Sequence, residues 1–195
     1  MKNRILALLA FCGLVFLFSN ETVQAQDGFF SDAQTLEPGI ISAGLQPVIL
    51  TDQEDFMLIA RGAYGISSGL TVHGKIGVLE DETYFGAHAE YRILSEAQDP
   101  LTVSGIGGIY TYGDPGLKLA AVASKQLDLF SIFGGLNYQP LFIEDNTLHP
   151  FLIPFGLDIP LLDKQANFVF EANVGVNDDA GVFESLTFGV NYYLN

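Results

Sequence analysis

An apolar residue at every second position is the feature of this sequence that most constrains its fold. Successive side chains of a β-strand point to opposite faces, so this alternation indicates strands with one apolar and one polar face. The pattern recurs in ten separate stretches of the chain. They are residues 41–49, 56–64, 70–78, 85–93, 101–109, 117–123, 130–138, 151–157, 168–176 and 186–194.

Consecutive stretches can be paired as antiparallel hairpins that keep all apolar residues on one face. The pairs that close the first three turns are Leu50 with Asp55, Gly65 with Gly69, and Leu79 with Glu82. The second of these pairs places Tyr64 opposite Leu70. Because a slip by one residue would exchange the two faces, the pattern predicts an all-β antiparallel meander of about ten strands, with eight strands as the alternative.

The second face of the strands is polar but carries few charges. Only 16% of the chain is charged, against about 25% in typical soluble domains. Such a face suits the crowded polar lumen of a membrane barrel better than a surface exposed to water. The polar-face residues are Ser42, Gln46, Arg61, Thr71, His73, Lys75, Tyr84, His88, Glu90, Thr102, Ser104, Asn137, Gln139, Asn167, Glu171, Asn173, Thr187 and Asn191. Residues predicted to contact lipid on the apolar face include Leu58, Val72, Ala89, Phe170 and Phe188.

The start of the chain has the pattern of a secretory signal peptide. A basic beginning precedes an apolar run at 5–18, which is shorter than the roughly 20 residues of a transmembrane helix. A small-residue cleavage site follows at 23–25. We therefore predict a signal peptide over 1–25 and a single barrel domain over 26–195. Cys12 is the only cysteine, so the predicted domain contains no disulfide.

The last of the ten stretches carries the most specific motif. Thr187, Gly189, Tyr192 and Leu194 occupy the places of the pattern polar-x-Gly-x-x-aromatic-x-hydrophobic. In this motif, and in the alternation along the whole domain, the chain resembles the small outer-membrane β-barrel proteins of Gram-negative bacteria, the porin-like family. The resemblance implies a closed up-and-down transmembrane barrel in the cell outer membrane. It also implies lipid as the surrounding partner and recognition of the four motif residues by the barrel-assembly machinery.

The acidic residues of the chain are concentrated between the strands. The chain has 23 acidic and 8 basic residues, a net charge of −15, so we predict that it does not bind nucleic acid, which requires Lys and Arg at the phosphates. We predict that both ends of the barrel domain lie on the periplasmic side. The turns predicted to face outside the cell are 51–54, 80–81, 113–116, 142–147 and 177–181.

Ionisable residues of the polar face are predicted to meet inside the barrel. The hairpin pairing places Gly44, Arg61, His73 and His88 in one row across four strands. The predicted lumen network consists of Arg61, His73, Lys75, His88, Glu90 and Glu171, with the two Glu residues neutralising the basic groups. Two other interpretations stay open, a selectivity constriction in a pore and a catalytic cluster with a His general base.

Motifs for metal or phosphate chemistry are absent from the sequence. It contains no His-x-x-x-His and no Cys pair, and the stretch GIGGIY at 105–110 lacks the Lys-Ser/Thr of a phosphate loop. We predict a non-enzymatic barrel without catalytic residues, cofactor or metal, acting as a narrow pore for small solutes or ions or as a structural and surface protein. The alternatives are an outer-membrane lipid-modifying or hydrolytic barrel enzyme and a soluble periplasmic binder of the lipocalin type.

Overall fold

The computed structural model describes residues 28–51, 55–79, 82–144, 146–180 and 184–194. The predicted signal peptide and the acidic turn residues 52–54 and 80–81 lie outside this part of the chain. The strands are β1 (Ile41–Leu50), β2 (Asp55–Ser67), β3 (Leu70–Leu79), β4 (Glu82–Leu94), β5 (Thr102–Tyr112), β6 (Asp114–Gln126), β7 (Ser131–Tyr138), β8 (Leu141–Ile143), β9 (Asn146–Leu148), β10 (Phe151–Leu161), β11 (Ala166–Gly175) and β12 (Ser185–Leu194). A single turn of 3-10 helix, Leu162–Lys164, separates β10 from β11. Within the described ranges, no helix has both the length and the apolar character needed to cross a membrane.

Ten of these strands form a closed antiparallel barrel, which confirms the predicted fold class and strand number. Each strand from β1 to β6 pairs with the next, and β7 pairs with β10, β10 with β11 and β11 with β12. The pairing of β1 with β12, with Ile41 opposite Leu194, closes the sheet. The two remaining strands, β8 and β9, form a hairpin that joins β6 through the pair Gly116 and Leu141.

The first and the last residue of the barrel sheet lie at the same opening of the cylinder, because Ile41 begins β1 and its partner Leu194 ends β12. We call this the terminal end; it carries the β2–β3, β4–β5, β6–β7 and β10–β11 connections. The opposite end, which we call the far end, carries the β8–β9 hairpin. This arrangement means that any access to the lumen is through one of two structurally different openings.

One of the three predicted turn registers is wrong. The pairs Leu50–Asp55 and Leu79–Glu82 are confirmed. At the second turn the structure pairs Tyr64 with Val72, two residues beyond the predicted partner. The hairpin closes later than predicted, with Ser67 opposite Leu70, and contains a bulge after Gly65. Because the error is an even number of residues, every side chain keeps its predicted face.

The two faces of the sheet have opposite chemistry, and the apolar one points outward. All eighteen predicted polar-face residues are buried inside the cylinder. The five predicted lipid contacts, Leu58, Val72, Ala89, Phe170 and Phe188, are exposed on the outer surface. A lipocalin-type binder would have its apolar face inside, so this orientation argues against the soluble alternative.

Candidate functional site

The lumen contains part of the chain that the sequence pattern did not place. Residues 28–40, which we call the N-terminal segment, precede β1, and residues 28–33 of this segment are mostly buried inside the barrel. The side chains of Phe29, Phe30 and Ala33 are almost completely buried. They pack with inward-facing apolar residues of four strands: Ile106, Val122, Phe133 and Val169. Two adjacent Phe residues in an otherwise polar stretch were the available signal, because they are poorly suited to lie in water.

Wall side chains bind the backbone N–H groups of the N-terminal segment. The Phe30 amide donates to Glu171 Oε2 at 2.7 Å. The Ala33 amide donates to Ser124 Oγ at 3.2 Å, and the Leu36 amide to Thr71 Oγ1 at 2.8 Å. These acceptors belong to β11, β6 and β3, so the segment is held from several sides of the barrel.

Three basic side chains bind carbonyl oxygens of the same segment. Lys75 Nζ and Lys118 Nζ both donate to the Gly28 carbonyl, at 3.3 and 2.7 Å. Arg61 Nη1 donates to the Phe30 carbonyl, and the guanidinium carbon of Arg61 lies 5.2 Å from the centroid of the Phe30 ring. Hydrogen bonds to charged groups are stronger than neutral ones, so these three cations and Glu171 hold the segment more firmly than Ser124 and Thr71 do.

Four of the six predicted network residues meet directly on β2, β3 and β4. Arg61 Nη2 lies 3.2 Å from His73 Nδ1, and His73 Nε2 lies 3.2 Å from Glu90 Oε2. Ser104 Oγ donates to Glu90 Oε1 at 2.5 Å. The rings of His73 and His88 stack with centroids 4.5 Å apart. All five of these side chains are buried, so together they form a packed polar layer across one wall.

The structure joins the other two predicted residues through the N-terminal segment. Lys75 lies opposite Arg61 in the ladder, where the predicted row had placed His73; the two-residue register error at the β2–β3 turn is the cause. Glu171 contacts the Phe30 amide from β11 and also accepts a hydrogen bond from Asn173 at 2.9 Å. Basic and acidic walls thus meet at residues 28–30.

Four further buried charged residues were not among the predicted ones: Asp32, Lys118, Asp158 and Glu184. Lys118 lies in the Ala-rich stretch of β6, where few polar neighbours marked the inward face. Asp32 belongs to the N-terminal segment. Asp158 of β10 accepts a hydrogen bond from Asn167 Nδ2 at 2.5 Å. Asp158 lies on the inward-facing side of the two-residue alternation of β10, as the predicted residues do on their strands. Its position in that alternation was therefore the available signal.

One wall of the lumen has polar atoms without hydrogen-bond partners among the described residues. They belong to side chains on β1, β11 and β12: Gln46, Asn167, Asn173, Thr187 and Asn191. Buried polar groups are normally hydrogen-bonded. This wall is therefore able to bind water or the hydroxyl groups of a hydrophilic solute.

The far end of the lumen is apolar. Its side chains come from the strand ends there and from the β8–β9 hairpin: Val48, Leu50, Met57, Ile59, Leu79, Tyr84, Tyr110, Tyr112 and Leu141, with Ile143 and Leu148 packed against them. Interiors of small barrels are commonly filled by side chains. In this structure the lumen is thus closed by apolar packing at the far end and by the N-terminal segment towards the terminal end.

The four predicted assembly residues divide between the two faces of β12. Thr187 points into the lumen and is fully buried, whereas Tyr192 and Leu194 are exposed on the outer surface. A Cβ atom on Gly189 would lie 2.0 Å from the Leu45 carbonyl oxygen, so a larger residue does not fit there. Recognition of these four residues by the assembly machinery stays a prediction.

The buried cluster does not have the order of a serine hydrolase site. Such a site places a His between the nucleophile and the acid, whereas here Glu90 lies between Ser104 and His73. The sequence also contains a Gly-x-Ser-x-Gly spacing at Gly65–Gly69. That spacing needs a strand-to-helix turn to expose its Ser, and here it forms the β2–β3 hairpin turn, with Ser67 paired to Leu70.

Comparison with solved structures identifies the fold. The KdgM porin matches with a TM-score of 0.55 and 9% sequence identity, over 79% of this chain and 99% of that chain. The KdgM porin in complex with disordered oligogalacturonate matches with a TM-score of 0.52 and 10% identity, over 80% and 99%. The fold is that of a porin barrel. At these identities, the likeness to the two solved structures concerns the fold alone. No family model matches the sequence, and no curated protein matches it.

Proposed function

We propose that the protein is an outer-membrane β-barrel that forms a gated passage for small hydrophilic solutes or ions. The observation that carries this proposal is the closed barrel with apolar side chains outside and polar ones inside. Closure gives each of the ten barrel strands a partner on both sides, so the sheet has no open edge, as a bilayer requires. Alternation of outward apolar and inward polar residues is the pattern of transmembrane barrels.

The charge of the lumen favours small solutes without a strong net charge. The structurally similar KdgM porin was solved in complex with oligogalacturonate, whose sugar units carry carboxylates. In this protein, however, the buried cations of the wall are matched by an equal number of buried wall carboxylates. The cations are Arg61, Lys75 and Lys118, and the carboxylates are Glu90, Asp158 and Glu171. Because the wall has no net positive charge, we do not propose an acidic sugar as the solute of this protein.

Planar-bilayer recording tests the passage. Residues 26–195, refolded in detergent and checked by a heat-dependent gel shift, are expected to give discrete current steps. A variant in which a short Gly-Ser link replaces residues 141–148 removes the far-end hairpin and should give larger or more frequent steps. Folded protein that gives no steps in either form would contradict the passage and leave a structural barrel.

An accessibility experiment tests the proposed orientation in the outer membrane. An epitope tag after Glu144, which is exposed at the far end, should bind antibody on intact cells if both barrel ends are periplasmic. The matched tag after Asp128, exposed in the β6–β7 turn at the terminal end, should bind antibody only after the outer membrane is permeabilised. The reverse pattern would show that the orientation is inverted.

A further inference from the structure

We propose that the terminal half of the lumen is a binding site for a peptide with adjacent aromatic residues, and that residues 28–36 occupy this site as a displaceable plug. The inference rests on the proposed function, because it names the step that opens the passage from the terminal end. The peptide site itself is defined by contacts of the described residues, so it can be tested without measuring any current.

The plug is attached to the wall by side chains and not by strand pairing. In the described part of the chain, residues 28–36 belong to no strand. Their carbonyls are bound by Arg61, Lys75 and Lys118, and their amides by Glu171, Ser124 and Thr71. Every ladder between neighbouring strands would therefore survive removal of the plug. The cost of removal comes from these contacts, from the hydrogen bond of Thr35 Oγ1 to the Ser68 carbonyl and from the burial of Phe29, Phe30 and Ala33.

The site matches a peptide backbone together with an aromatic pair. Cations reach the carbonyls of residues 28 and 30, and acceptors reach the amides of residues 30, 33 and 36. Phe29 and Phe30 fill an apolar recess between β5, β6, β7 and β11. Since both hydrogen-bonding directions are provided, the wall recognises a peptide backbone rather than a simple anion.

A fixed point and a turn separate the plug from the barrel. Gly39 N donates to the Gly65 carbonyl at 2.9 Å, and Gly65 N donates to the Ile40 carbonyl at 3.0 Å, which anchors the chain at the terminal rim. Gly39 has a φ of +84°, in the region that favours glycine. Pro38 and Gly39 are exposed, so the residues that precede this anchor can leave the lumen while β1 stays in place.

Thiol reactivity measures displacement of the plug. Val122 is almost fully buried against the Phe pair, and Val122→Cys puts a single cysteine under the plug, because Cys12 lies outside residues 26–195. Met57→Cys, buried in the far-end cluster, is the control cysteine. Both should react slowly with N-ethylmaleimide in an otherwise unchanged barrel.

A charge variant should expel the plug. Phe30→Lys puts a fourth cation beside Arg61 and removes an apolar anchor, so Val122→Cys should react at least about tenfold faster, the factor that corresponds to 1.4 kcal/mol. Gln34→Lys adds the same charge at an exposed position of the segment and should leave the rate unchanged. Met57→Cys should stay slow in both backgrounds.

Truncation and peptide addition complete the test. A barrel that begins at residue 37 should make Val122→Cys reactive, and a synthetic peptide of residues 26–40 should restore protection, whereas the same peptide with Lys at positions 29 and 30 should not. Unchanged reactivity after truncation, or no protection by the peptide, would overturn the plug. Reactivity and peptide protection without any current would uphold the plug and overturn the passage, so the two failures are distinguishable.

Discussion

Replacing Ile76 by arginine is expected to destabilise the barrel by about 2–4 kcal/mol, the cost of a cation on the lipid face near the middle of a bilayer. Ile76 is exposed on the outer surface of β3. It lies opposite Ala60, near the middle of β2. Unfolding by urea in phospholipid vesicles measures the free energy of unfolding. It can be followed by the gel shift or by tyrosine fluorescence, since the chain contains no tryptophan.

Arginine at Val72 is the matched control. Val72 is exposed on the same face of the same strand, two residues from the start of β3 at the terminal end. The cost of a cation falls to about 0–1 kcal/mol near the membrane interface, so Val72→Arg should be much milder. If both variants unfold like the wild type, the outer face contacts water and the membrane assignment is wrong.

Replacing Glu90 by glutamine should cost about 2–4 kcal/mol, since the carboxylate is a buried acceptor for two neighbours. Glu90 Oε1 accepts from Ser104 and Oε2 lies against His73. Glutamine has one acceptor oxygen and an NH2 group, so one of these contacts loses its acceptor. The negative charge that faces Arg61 through His73 is lost as well.

Glu144→Gln makes the same chemical change at an exposed turn position and should alter the unfolding free energy by less than about 0.5 kcal/mol. Ser104→Ala removes one donor to Glu90, and its loss of unfolding free energy should lie between those of Glu144→Gln and Glu90→Gln. Thermal or urea unfolding of the three variants in one lipid composition decides the order. Equal stabilities would mean that the layer of Arg61, His73, Glu90 and Ser104 does not stabilise the barrel.

The strands and their faces were predictable because a sheet has a strict two-residue period. Leu58 and Arg61 point to opposite sides whatever the exact register, so both assignments survived the error at the β2–β3 turn. The partner of Arg61 was not predictable in the same way. It depends on whether the hairpin closes at Gly65 or at Ser67, a difference of turn geometry that leaves the alternation unchanged.

The N-terminal segment could not be predicted from periodicity, because its conformation is set by contacts with distant parts of the chain. Phe30 and Glu171, which are 141 residues apart, meet in the lumen. Ala33 and Ser124 are 91 residues apart. No local pattern encodes such partners, and only the apolar Phe pair marked the segment as buried. The same reason hid Lys118, whose role is visible once Gly28 is beside it.

These long separations have a consequence for biogenesis. The acceptor for the Phe30 amide is on β11, the second-to-last strand, so the first described residues of the chain reach their final environment only after nearly all of the barrel has folded. Contacts of such high sequence separation form late, because the intervening chain must first be ordered. Until then Phe29 and Phe30 lack the apolar neighbours on β5, β6, β7 and β11 that cover them in the folded barrel. Burial of these two side chains therefore reports that folding of the barrel is nearly complete.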